Sequence, residues 1–242
     1  MTELPGVGDP PPPAGHPEGA RWGLGDAAVG YLAGFFLSIL FASIWVSATG
    51  TEVLTVGALA ASFVGNWLGL GVAVARASRR KGSGSLAVDF GLRVEWRDVP
   101  VGLAAGLLSQ LVLIPILYLP VHWLFRNVDV SREAKKVTDV AHGGGIALIA
   151  ACIVIVAPLV EELFFRGLLL RSAERRFEPR AAVALSAVAF GLAHLQPVQL
   201  LGLIAFGAVL AVLAQRAGRL GPSLVAHMAF NATTVVILLI TR

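Results

Sequence analysis

Two adjacent carboxylates, Glu161 and Glu162, and one guanidinium, Arg166, stand inside the apolar run VAPLVEELFFRGLLL, residues 156–170. An acid at the centre of a membrane helix costs on the order of 2.5–3.5 kcal/mol on insertion scales, so ionisable groups at that depth point to function. Glu162 and Arg166 are four residues apart, share a helix face and suit an ion pair. Glu161 points about 100° away from Glu162 and is left without that partner. A structural clamp at the membrane edge accounts for Glu162 and Arg166 but not for Glu161, whose carboxylate is free to act as a general base. Two imidazoles lie in later apolar segments: His194 in AFGLAHLQP, one turn after Phe190, and His227 in SLVAHMAFN, one turn before Asn231. Either histidine alone would serve as a hydrogen bonder between membrane helices. Together, the acid, the two imidazoles and the amide are the parts of a hydrolytic site. The acid accepts a proton from water, the histidines position that water or hold a metal, and the Asn amide and an imidazole donate to an oxyanion. Phe165 and Phe190, aromatic neighbours of these groups, are the expected substrate-binding side chains.

Other hydrolytic chemistries find no footing. No serine stands in a nucleophile-elbow setting, and no helix carries the His-Glu-x-x-His zinc pattern. A zinc site would have to be assembled from Glu161 or Glu162 with His194 and His227, three ligands that leave one open position. Cys152, the single cysteine, excludes an internal disulfide and fits a small core residue within a span.

The elements that must position these groups follow from composition. Of 242 residues, 56% are hydrophobic and 14% charged, too apolar for a soluble domain of this size. Several apolar stretches reach the roughly 20 residues that span a bilayer, and helices are the default there because each closes its own backbone bonds. The expected fold is all-α, a polytopic transmembrane bundle of about seven or eight segments, with spans near 27–49, 53–75, 99–124, 143–160, 181–195, 198–215 and 221–240. Residues 1–22 are rich in Pro and Gly and read as a flexible cytoplasmic tail, without the basic start and apolar stretch of a cleaved signal peptide. Residues 23–142 are expected to hold amino-terminal spans with an interfacial segment at 83–98, and 143–242 the membrane segments that carry the Glu, His and Asn groups, the expected catalytic region. The stretch 161–180 is expected to leave the fourth span and lie along the surface. The net charge of +4 sits in loops between spans, so it marks membrane orientation and not nucleic-acid binding. The loops with Arg79, Arg80 and Lys81, with Arg171, Arg175 and Arg176, and with Arg216 and Arg219 fall on one side, read as cytoplasmic.

In order along the chain, EELFFR (161–166), FGLAH (190–194) and HMAFN (227–231) match the pattern Glu-Glu-x-x-x-Arg, Phe-x-x-x-His, His-x-x-x-Asn. Over about residues 143–242 the chain resembles the CPBP family of intramembrane proteases, also called the Abi or CAAX-processing family and related to the Rce1-type prenyl-protein endopeptidases. GRLGP, just before the last motif, loosely resembles the family's glycine-containing turn. The resemblance implies an all-helical membrane endopeptidase. Glu161 would be the water-activating base, Glu162 and Arg166 its support, His194 a second catalytic or ligand histidine, and His227 with Asn231 the oxyanion stabilisers. The family is classed with the metalloproteases, and a metal-free glutamate mechanism has been argued for its members. The cofactor expectation is therefore either none or Zn2+ on Glu161, His194 and His227. The implied partners are the lipid bilayer and a membrane-associated protein or peptide substrate. High Ala, Gly and Arg usage points to a bacterial plasma membrane, where such enzymes are linked to peptide maturation, bacteriocin immunity or regulated proteolysis. A proton-coupled small transporter, with Glu161 and the histidines as a relay, is the alternative from residue types alone. Its usual paired halves are not seen. A non-catalytic membrane scaffold would leave the Glu, His and Asn set without a purpose.

Overall fold

Long runs of Leu, Val, Ala and Gly have no water to satisfy their backbone and close each amide within one helix. The computed structural model describes residues 20–52, 55–124 and 144–241, and all regular structure among them is helical. The tail expected over 1–22 lies outside them except for its last residues, as does the loop with Arg126, Arg132, Lys135 and Lys136.

Helices α1 (Leu24–Thr49) and α2 (Val56–Lys81) form an antiparallel pair. They touch backbone to backbone: a Cβ on Gly69 would stand 2.3 Å from the Gly34 nitrogen. The short α3 (Leu86–Phe90) follows, then α4 (Asp98–Leu108), which runs through a π-helical segment, Ser109–Leu113, into α5 (Ile114–Leu124). The next rod is α6 (Gly144–Ala151), a π-helical segment (Cys152–Val156), α7 (Ala157–Glu161), a second π-helical segment (Glu162–Leu170) and α8 (Arg171–Glu174), without a break. The chain ends with α9 (Pro179–Ala193), α10 (Leu200–Ala217) and α11 (Gly221–Ile240). Six helical runs are long and apolar enough to cross a membrane, and α9 is a shorter apolar helix. The protein is an integral, multi-pass, all-α membrane protein. Its outer faces carry exposed side chains such as Phe36, Leu119 and Trp123, suited to lipid.

Two expectations change. The segment 161–180 does not peel away from a span that stops near 160, because the rod continues to Glu174 and sets Glu161 near its middle. The stretch 83–98 is more than an interfacial strap. Phe90 and Asp89 are fully buried, Phe90 packs beneath Gly167 of the rod, and Asp89 accepts from the Ser78 hydroxyl and the Ser83 amide.

The basic loops do gather at one end of the bundle. Lys81 pairs with Asp26, Arg175 donates to the carbonyls of Ala20 and Trp22, Arg171 donates to Gly218 O, and Arg219 grips Asp98. From that end, α11 climbs against α4, where small residues admit a close approach. A Cβ on Gly106 would lie 2.4 Å from the carbonyl oxygen of Ala226, the neighbour of His227. Gly106→Ala is expected to lower stability by about 1–3 kcal/mol through overpacking. Thermal unfolding in detergent measures this; an unchanged midpoint would mean that α11 slides freely on α4.

Candidate active site

The rod 144–174 carries a built-in hydrogen-bond problem. The Ala157 amide donates five residues back, to Cys152 O, as a π-helical turn requires. That takes from Ile153 O its normal α-helical donor. The next donor in the π register is residue 158, a proline, which has no N–H. Ile153 O thus has no amide within its own helix, and Asn231 of α11 supplies one: Nδ2 donates to it at 2.8 Å. The proline is tolerated mid-rod because a side chain from another helix repairs the ladder. Removing that donor, as in Asn231→Leu, is expected to cost about 1–3 kcal/mol for an unpaired buried carbonyl. Adding Pro158→Ala to the same protein should recover part of the loss, read as a rise in unfolding midpoint. If the proline change recovers nothing, the repair account is wrong.

Beyond Glu161 the helix bonds again run in the wide π pattern, which brings residues four apart nearly over one another. Arg166 Nη1 donates to Glu162 Oε1 at 2.9 Å, both side chains essentially without exposure, and Nη2 donates to Gly207 O of α10 at 2.9 Å. The guanidinium also lies 4.4 Å from the centroid of Phe190, a cation–π contact. The expected ion pair is therefore present, but it does more than close a clamp at a membrane edge. It ties the rod to α9 and α10 in the middle of the bundle.

His227 enters from α11 between the two carboxylates. Its Nδ1 is 3.0 Å from Glu162 Oε1, and its Nε2 is 3.7 Å from Glu161 Oε2. An ionised carboxylate can only accept, so Nδ1 carries a proton, and in the neutral ring Nε2 then presents a lone pair toward Glu161. Phe190 and Phe206 pack edge-on against the ring, each with centroids 5.6 Å away, and hold its plane. Glu161 keeps 15% side-chain exposure while Glu162 has 1%, so the outer carboxylate is the one that meets water or substrate.

His194 caps the end of α9, half-buried, with its ring 4.7 Å from that of Phe190. Its Nδ1–H donates to Phe190 O at 2.8 Å, since a carbonyl can only accept. Both histidines thus offer Nε2 as an acceptor. Leu195, the next residue, has φ +52°, a left-handed backbone that is costly for a bulky side chain, on the order of 1–2 kcal/mol. Phe165 and Phe190, expected to face substrate, are almost wholly buried, and they pack on each other and on Arg166. They line the site from behind. Among the described residues no group of three His, Cys, Asp or Glu side chains stands where it could hold a metal ion. Glu161, His194 and His227 do not form such a group here, and Cys152 sits in the first π-helical segment.

Compared with known proteins, residues 143–233 match the family model described as Type II CAAX prenyl endopeptidase Rce1-like. No curated protein and no solved structure matches the chain.

Proposed function

We propose that this protein, whose residues 143–233 match the family model of the Rce1-like CAAX prenyl endopeptidases, is an intramembrane endopeptidase in which Glu161 activates water to hydrolyse a peptide bond of a membrane-associated protein or peptide. The observation that carries this is the facing pair of acceptors: Glu161 Oε2 and the Nε2 lone pair of His227, 3.7 Å apart. Two acceptors at that separation are both satisfied by one water that donates an O–H to each.

The reaction then needs no further reactant. Glu161 takes one proton as the water oxygen bonds to the scissile carbonyl carbon. The negative charge moves to the carbonyl oxygen. Asn231 gives one amide proton to Ile153 O, and the other can donate to that oxyanion. When the C–N bond breaks, Glu161 returns its proton to the leaving amine. Glu162, fixed by Arg166, holds His227 in the tautomer whose Nε2 faces the water. His194 presents its own Nε2 as an acceptor for a substrate N–H. A Zn2+ on Glu161, His194 and His227 would supply Lewis-acid activation, but among the described residues these side chains do not converge as a ligand set. The expected setting is a bacterial plasma membrane, with the Arg-rich end in the cytoplasm.

The test is cleavage of a membrane-associated peptide by purified protein in detergent or lipid. His227→Gln should leave the fold intact and reduce kcat about 10²-fold, the scale of a misplaced reactant. Wild-type turnover in His227→Gln would end this assignment.

A further inference from the structure

The turn that carries His194 lies at an awkward depth. Helix α9 has 15 residues, about 22 Å of rise, short of the roughly 30 Å of a hydrocarbon core. The turn 194–199 therefore falls within the membrane thickness, where irregular backbone persists only if protein or a water-filled cavity satisfies it. The repair comes from outside the segment that matches the family model. Tyr118, on α5 and 3% exposed, donates its hydroxyl to Val198 O at 2.8 Å and accepts from the Gly202 amide at 3.2 Å. Gly202 N–H is one of the donors at the start of α10 that has no partner within that helix. One phenol thus satisfies an acceptor in the turn and a donor in the helix that follows. The approach is tight: a Cβ on Gly202 would meet the Tyr118 ring at 3.0 Å. At the other end of the same turn, Leu195 is held left-handed directly after His194.

We propose that Tyr118 is a positioning residue for His194: its hydroxyl clamps the turn 194–199, and that clamp keeps Leu195 left-handed and the His194 imidazole aimed at the site. The proposal rests on the reading of His194 as part of the catalytic site. The residue acts through the turn, so its loss should change how often His194 is well placed, in addition to the stability lost with the two hydrogen bonds.

The experiment combines turnover with a direct probe of the ring. In Tyr118→Phe, which keeps the ring and removes the hydroxyl, kcat should fall about 10- to 100-fold with KM nearly unchanged, the scale of an ångström-size misplacement. In protein labelled on histidine, the imidazole resonances of His194 should move while those of His227 stay. Adding Leu195→Gly, which removes the penalty of the left-handed backbone, should restore most of kcat. Wild-type kcat together with unmoved His194 resonances in Tyr118→Phe would overturn the proposal, as would failure of Leu195→Gly to rescue a folded Tyr118→Phe protein. If Tyr118→Phe does not fold, Gly202→Ala decides. Its methyl displaces the same ring while favouring helix, so a loss of kcat with moved His194 resonances supports the clamp, and wild-type behaviour refutes it. His194→Ala with full turnover would instead remove the catalytic reading of His194, and the resonance comparison would still judge the clamp.

Discussion

Glu161→Gln yields a folded protein that has lost cleavage, with kcat reduced about 10²–10⁴-fold, the range for removal of a general base. The exchange keeps size but turns one accepting oxygen into an NH2 donor, and the resulting amide cannot take a proton. Stability should change little, because Glu161 carries none of the framework bonds. Arg166 pairs with Glu162 and Gly207, and the Nδ1–H of His227 is given to Glu162. The unfolding midpoint and the turnover of the same preparation are to be measured side by side. Full turnover in Glu161→Gln would remove this carboxylate from the chemistry. A collapse of the midpoint would mean that its role is to hold the fold.

Arg166→Ala is expected to show the opposite pattern, with a loss of folded protein before any question of rate arises. It strands Glu162, which has 1% side-chain exposure, and takes a donor from Gly207 O. Breaking a buried pair from one side typically costs about 3–5 kcal/mol, a large share of the roughly 5–15 kcal/mol that holds a typical domain folded. Arg166→Lys should not rescue it well. The two bonds leave from two nitrogens of one planar fork toward different helices, and a single ammonium cannot reproduce that geometry. The yield of monodisperse protein after detergent extraction reads the effect. Wild-type yield and midpoint in Arg166→Ala would show that the carboxylate finds another partner.

These two residues also show what was legible in the chain. The Glu162–Arg166 bond could be read from spacing, because residues four apart meet on any regular helix, α or π. The all-helical membrane class could be read from composition, because lipid leaves the backbone no other solution. The basic loops could be placed together because each span reverses the chain. The three polar segments could be picked out because ionisable groups are rare at depth.

Relations between helices were decided only by the tertiary structure. His227 reaches Glu162 across 65 residues, Asn231 reaches Ile153 across 78, and Tyr118 reaches Val198 across 80. Each depends on how far one helix is rotated and raised against another, and side-chain packing sets both. Pro158 and Cys152 advertised no π-helical turn, so the need that Asn231 meets was invisible, and the amide looked available for an oxyanion alone. Phe165 and Phe190 looked like a substrate wall because aromatic residues near polar ones suit one, yet packing turned both inward around Arg166. Tyr118 carried no signal, as a single tyrosine in a long apolar run. The residue types and their local spacing were set by the sequence; which carboxylate faces which imidazole was set by helix contacts formed over long separations, where no local pattern constrains the outcome.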